Sequence, residues 1–297
     1  MKWPLKSRPL PQAETPFFNL LYLSAHRASD PDSTIVWTSE LDWEPLRDYL
    51  ENHKQDNARL IGSSHILVQA VGQALAQHPE INRRVVGRRV YEFKQCNVCL
   101  AARVPRSHEV NVVQIHDADR MTADKIAYIC WQSQIAFMRN ASPECRDRDR
   151  FRKLPMFLFK SIFRTMDFLD RWFVLPVWGR VDRLRESAVL VNDFSNLVFP
   201  VMRGYKPSRQ PGDSKPLSVT LGRPEPKVVW GETGPIQKTI APITVRVDHR
   251  ICDGFQLGQF INTVVRLMQN PADLEETAMN HFEKNESELN NIQKQAA

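Results

Sequence analysis

After its basic residues the N-terminus, MKWPLKSRPLPQ, has no long apolar run, so the sequence predicts no secretory leader and a reducing, cytoplasmic setting. Within the apolar-rich segment 146–185 charges recur too often for a transmembrane span. Cysteine is scarce: the five residues Cys96, Cys99, Cys130, Cys145 and Cys252 are odd in number and unevenly spaced, against a disulfide framework. The pair Cys96-x-x-Cys99 has neither a second pair nor a histidine partner, so no metal is expected and the two read as small residues in a strand. No nucleic-acid-binding motif is present.

What the sequence does contain is a formal charge of +6 and a pI near 9.1, with the arginines locally concentrated. That balance suits anionic ligands: a nucleotide phosphate, an acidic carrier protein or a membrane surface. With 297 residues and 42% hydrophobic content the chain can fill one large domain. Residues 1–16 hold four prolines and are expected to be an irregular arm. Residues 276–297 are polar and are expected to fray.

Between these ends the periodicities alternate. Phe17 to Tyr22 and Thr34 to Thr38 read as strands, and TSELDWEPLRDYLENHK as a surface helix with capping residues at its start. Ser63 or Ser64 can cap the next helix, whose apolar face runs through Ile66, Leu67, Ala70, Val71, Ala74 and Leu75 to a helix-terminal His78. Val85 to Val104 predicts a pair of strands and Val110 to Ile115 another, followed by a long helix. SVTLG and KVVWG are further strands. The segment 146–185 is a basic amphipathic insertion, with Leu158, Ile162, Leu169 and Phe173 on one face and Lys160, Arg164 and Arg171 opposite. It could lie on a membrane or an acidic partner, or pack on its own domain and line an acyl tunnel.

The richest stretch is ITVRVDHRICDGFQLGQFINTVVRLMQNP, from Ile243 to Pro271: a strand, a turn and an amphipathic helix stopped by Asn270 and Pro271. His249, at the strand end beside acids and a tight turn, is where a general base would be held rigidly. Local alternatives stand beside that reading. His249 could be a satisfied buried histidine, Asp253 and Gln256 a capping box, and Gly254 a turn residue only.

The run D-H-R-x-x-D-G at 248–254 resembles the signature of the dihydrolipoamide acyltransferases of 2-oxo-acid dehydrogenase complexes, and CDGF is similar to the related chloramphenicol acetyltransferases. Two further islands agree. HILVQAVGQALAQHPEINRR resembles the family's buried helix and its H-P-x-x-N exit, and Phe194-Ser195-Asn196-Leu197 is similar to its I-S-N-L-G, with Val198 in place of the glycine. The resemblance implies an α/β (α+β) chloramphenicol acetyltransferase-like two-layer sandwich, a mixed sheet with packed helices, over residues 17–275. It implies an acyltransferase using a coenzyme A thioester, with His249 as general base, Asp253 orienting the loop and Ser195 stabilising the oxyanion. In the family the histidine of one subunit faces the serine of its neighbour, which implies a homotrimer. Ser187 competes with Ser195 for the oxyanion role. The family's glycine- and proline-containing hairpin is replaced by VPRSHEVNVVQ, so the pocket it lines differs and lipoamide does not follow as the substrate. The chain has no room for the lipoyl and subunit-binding domains that precede this domain in the complexes, so a free-standing enzyme is expected. Two other classes remain: a catalytically silent scaffold, and a membrane-associated enzyme acylating a lipid or carrier-bound chain.

Overall fold

The structure, a computed structural model, describes residues 7–9, 34–56, 61–86, 89–103, 110–139, 187–197 and 215–275, with positions 11, 14 and 278 and several between 155 and 169. Its longest strand, β10 (Gly234–Asp248), is the spine of a seven-stranded mixed sheet. The run from Ile240 to Val247 is buried along its whole length, as expected for a β-branched central strand covered on both faces. On one side β10 pairs antiparallel with β2 (Thr34–Asp42), and on the other with β8 (Leu217–Leu221). Next come β7 (Val189–Asp193), parallel to β8, and β5 (Val98–Arg103), parallel to β7. β6 (Val110–Ile115) closes that edge antiparallel to β5 among the described residues, and β9 (Glu225–Gly231) pairs with the first half of β10.

Helices form the second layer. α1 (Glu44–Asp56) touches α4 (Gly254–Gln269); α2 (Ser63–Gln77) lies over β5 and β7, flanked by α3 (Ala123–Met138) on the β6 side and by α4 on the β2 side. α2 is buried on nearly all its faces, the pattern of a helix wholly inside a domain. Gly72 permits this: a Cβ there would stand 2.6 Å from the Ala118 carbonyl carbon, at the 3-10 turn Ala118–Arg120. Gln69 and Gln73 each donate at 3.0 Å to the Leu274 carbonyl, tying down the helical residues 271–275.

This is the mixed-sheet sandwich the sequence predicts, with local differences. The predicted arm contains β1 (Ser7–Pro9), which joins a small separate sheet with β4 (Arg89–Phe93) and β3 (Arg83–Val86). The stretch expected to hold two strands therefore holds three, because the chain leaves this hairpin and enters the main sheet as β5. β2 continues to Asp42, whose Oδ1 accepts from Glu44 N at 3.2 Å to start α1. The N-cap of α2 is Gly62 rather than Ser63 or Ser64. Its N–H donates to His65 Nδ1 at 3.0 Å, so an imidazole takes the place of the usual N3 glutamate or glutamine. Cys99 is in β5, but Cys96 precedes it. Ala278, in the predicted tail, is helical and buried.

The strand predicted over Phe17 to Tyr22 lies outside the described residues. Of the amphipathic stretch, positions 157, 158, 161, 162, 164, 165, 168 and 169 are helical and most of the rest lies outside them. Among the described residues no helix is long and apolar enough to cross a membrane.

Candidate active site

β10 delivers His249 one residue beyond its last paired position, and the loop that follows is locked by its own side chains. Asp248 N donates to the Pro216 carbonyl at 2.8 Å, and Ile251 N donates back to the Asp248 carbonyl at 3.0 Å. Arg250 is buried and folds onto Asp248, donating through Nε at 2.9 Å to Oδ1 and through Nη2 to Oδ2. This is the forked geometry that makes an arginine–carboxylate pair directional. Ile251 and Cys252 point into the core. Burial, with smaller effects from Asp253 and Asp248, pushes the Cys252 thiol far up from its ordinary range, so it is a packing group and not a thiolate.

Asp253 caps α4. Its Oδ1 accepts from Gln256 N at 2.8 Å while Gln256 Oε1 accepts from Asp253 N at 3.2 Å, the reciprocal pair of a capping box. Gly254 has no positive φ, and an added Cβ would meet nothing within 4 Å. Among the described residues, neither backbone conformation nor packing requires glycine there. His249 is half-buried, and its Nδ1 stands 2.8 Å from the Cys252 carbonyl oxygen. A carbonyl can only accept, so Nδ1 carries the proton and the basic lone pair belongs to Nε2.

Ser195 lies elsewhere. It sits in the turn just after β7, buried at 8% exposure. Asp193 is opposite Leu221, and Leu221 is opposite Ile243. His249 lies just past the end of β10, six residues beyond Ile243, a rise of about 20 Å along a strand. The chain thus brings His249 and Asp253 together at one sheet end and places Ser195 at the other. Ser187 is a structural latch, buried, with Oγ donating to the Asn97 carbonyl at 2.6 Å. His78 is the C-cap of α2, its Nε2 2.9 Å from Thr263 Oγ1.

Around Ser195 the structure gathers three residues to which local reading gave no functional role. Ser63 Oγ lies 2.9 Å from Ser195 Oγ and donates to Asp193 Oδ2 at 2.6 Å. Asp193 Oδ1 accepts from Ser195 N at 2.8 Å, and Asn196 Nδ2 donates to Ser63 Oγ at 3.2 Å. The serine pair at the start of α2 and the N-D before F-S-N were visible in the sequence, but no spacing rule joins positions so far apart. Among the described residues no cluster of His, Cys, Asp or Glu is arranged to hold a metal.

A family model described as 2-oxoacid dehydrogenases acyltransferase (catalytic domain) matches residues 27–134 and 218–275. His249 and Asp253 fall inside the matched residues and Ser195 between them. No curated protein matches the chain. Among solved structures, a probable dihydrolipoamide acetyltransferase from Listeria monocytogenes is similar at 15% identity, over 90% of this chain and 95% of that one, with a TM-score of 0.59. The cubic core of a pyruvate dehydrogenase multienzyme complex shares 12% identity over 88% and 93%, with a TM-score of 0.60. A chloramphenicol acetyltransferase shares 14% over 88% and 99%, with a TM-score of 0.52. At such identities these likenesses establish a common fold and nothing finer.

Proposed function

The chain belongs to the family of 2-oxoacid dehydrogenase acyltransferase catalytic domains, and from that premise we propose that it moves an acyl group between a thioester, acyl-coenzyme A, and a thiol or hydroxyl acceptor, at sites built between copies of the chain. His249 Nε2 removes the acceptor proton as the nucleophile attacks the thioester carbonyl carbon. Ser195 Oγ donates to the oxygen that becomes negative. When the tetrahedral intermediate collapses, the carbon–sulfur bond breaks and the departing thiolate takes the proton from the imidazolium. A thiol titrates near ~8.5 and a histidine near ~6.5, so a small environmental shift makes the transfer feasible. One oxyanion donor is worth about 2.7 to 4 kcal/mol of barrier. Asp253 orients the loop through its cap of α4. The setting is cytoplasmic and the assembly a homotrimer.

The observation that carries this reading is the placement of His249 and Ser195 at opposite ends of one sheet, about 20 Å apart along the strands. A general base and an oxyanion donor must both lie within hydrogen-bond reach of one reacting group. The two can serve one substrate only when they come from different copies. The Asp248–Arg250 pair and the Asp253 cap already hold the histidine loop rigid, so docking a second copy would complete the site without refolding it.

Complementation tests this directly. Thiol release is measured from a panel of acyl-coenzyme A thioesters with dihydrolipoamide and carrier proteins as acceptors. Wild type turns over; His249→Ala is nearly inactive and Ser195→Ala is slower by about 10²–10³-fold. When the two variants are unfolded and reassembled together, mixed oligomers regain part of the activity, because some interfaces pair an intact histidine with an intact serine. Wild-type rates in His249→Ala would sink the assignment of the base, and no turnover by wild type with any pair would leave the scaffold reading standing. Activity in each single variant that mixing fails to improve would place the whole site in one copy.

A second reading concerns residues 146–185. Phe157 is 70% and Phe168 is 53% exposed, with Leu158 and Ile162 also exposed. Arg164 shares a groove with Phe157, Ser161, Thr165 and Phe168. Apolar rings beside a cation suit an anionic membrane surface, which would bring the enzyme to a lipid or a carrier-bound chain.

A further inference from the structure

Ser63 has one hydroxyl proton and two oxygen neighbours that could receive it, Asp193 Oδ2 at 2.6 Å and Ser195 Oγ at 2.9 Å. A carboxylate oxygen only accepts, so the proton goes to Asp193. The lone pairs of Ser63 Oγ then face two donors, Asn196 Nδ2 at 3.2 Å and the Ser195 hydroxyl. With the Ser63 proton on Asp193, a hydrogen bond between the two serines needs Ser195 as its donor. The Ser195 O–H points inward to Ser63, and its lone pairs, not its proton, face away from the cluster. Asp193 also clamps the backbone of the same serine through Ser195 N at 2.8 Å. The cluster is joined across the fold, since Ser63 opens α2 while Asp193 ends β7.

We propose that Asp193, acting through Ser63, sets the direction of the Ser195 hydroxyl: the two are positioning residues that hold the oxyanion donor turned inward until the oxygen of a reacting thioester competes for its proton. The proposal rests on the reading of Ser195 as that donor. It implies that each turnover includes rotation of one hydroxyl away from Ser63, at the cost of one hydrogen bond. The position of Ser195 Oγ is then well defined by the cluster, but its proton is not aimed at the substrate beforehand.

Asp193→Asn reverses the chain with little change of shape. The amide oxygen still accepts from Ser195 N, while the amide nitrogen replaces Oδ2 and donates to Ser63 Oγ. With Asn196 already donating there, both lone pairs of Ser63 are filled and its proton must turn to Ser195 Oγ. The Ser195 proton is then directed outward. The variant loses a charge-assisted bond, so it melts at a lower temperature than wild type, yet it turns over faster. The expected rise in kcat is about fivefold, the rate equivalent of one ordinary hydrogen bond, with KM changed by less than about twofold. A purely structural aspartate would lower stability without raising kcat.

The experiment measures kcat and KM with the acyl-coenzyme A and acceptor pair that wild type uses fastest. It covers Asp193→Asn, Ser63→Ala, Ser195→Ala and the double variants. The rise in Asp193→Asn vanishes in the Ser63→Ala and Ser195→Ala backgrounds. Ser63→Ala alone, which removes the inward acceptor, also raises kcat and serves if Asp193→Asn does not fold. An unchanged or lowered kcat in Asp193→Asn overturns the proposal, as does a rise that persists without Ser63 or Ser195, which would be a field effect of the lost charge. If Ser195→Ala is itself as fast as wild type, the oxyanion reading has failed and takes the catalytic claim with it.

Neutron diffraction reads the hydroxyl chain independently of any assay. The deuteron between the two serines sits on Ser195 in wild type and on Ser63 in Asp193→Asn. A deuteron on Ser63 pointing to Ser195 in wild type overturns the geometry on which the proposal stands.

Discussion

His249 donates through Nδ1 to the Cys252 carbonyl at 2.8 Å, and that bond decides which imidazole nitrogen can act as a base. The Cys252 side chain has no part in it: the contact is to the backbone, and the thiol is buried and shifted far up. Cys252→Ala is therefore expected to keep kcat within about threefold of wild type, in the range of a mild packing change, and Cys252 in the native protein should resist thiol-alkylating reagents at neutral pH. Loss of activity on alkylation of the folded enzyme at Cys252, located by mass spectrometry, would show a reactive thiol instead.

Gly72 is the point of closest approach between α2 and the 3-10 turn after β6. Because a Cβ would come within 2.6–2.8 Å of Ala118 and Asp119 backbone and side-chain atoms, Gly72→Ala must push the helix and the turn apart. The expected loss is about 1 to 3 kcal/mol, typical of overpacking, despite the better helix propensity of alanine. Denaturant midpoints of the two proteins give the answer, and an equal or higher midpoint for the alanine variant would contradict this packing.

Burial holds the His65 imidazole below its ordinary range, with Asp193 opposing by a smaller amount. The folded state thus binds the proton more weakly than the unfolded chain does. Above the unfolded value of about 6.5 neither state is protonated and His65 contributes no pH dependence. Below it the unfolded chain gains the proton first, so stability falls as the pH drops. His65→Gln, whose side chain can still accept from Gly62 N, should flatten the melting-temperature profile below about pH 6.5. Parallel profiles for the two proteins would assign the acid sensitivity to another group.

Phe157 and Phe168 are exposed on one helical face beside Arg164. Phe157→Ala with Phe168→Ala should release the protein from vesicles containing anionic lipid, since each buried aromatic side chain contributes on the order of 1.5–3 kcal/mol. Co-sedimentation measures it. If wild type ignores such vesicles, these rings do not dock on an anionic lipid surface.

How much of this was legible in the sequence depended on how far apart the interacting residues lie. Val110 to Ile115 alternates between short-range boundary signals, and β6 has those limits. Asp253 and Gln256 are three residues apart, and the capping box forms. Ser7–Pro9 reads as an irregular arm because its strand character comes from β4, more than 80 residues away, as the Ser7–Phe93 pairing shows. Gly62 displaced the serines as cap because His65 supplied the acceptor, an imidazole where a glutamate or glutamine is the usual signal. Asp193 and Ser63 attracted no functional reading, since neither meets a partner until β7 and α2 are packed.

Local spacing was sufficient to determine that a histidine would stand rigidly between a buried strand and a capped amphipathic helix, because the contacts that hold that loop span no more than a few residues. F-S-N-L is marked as another island by its resemblance to the family's I-S-N-L-G and not by spacing. Only the tertiary structure decided where the two islands stand. The order β10-β8-β7, with β8 antiparallel to β10 and parallel to β7, sends the ends of β10 and β7 to opposite edges of the sheet. Strand order is chosen by the packing of whole faces rather than by neighbours in sequence, and it is this order that separates His249 from Ser195 and brings Ser63 to Asp193.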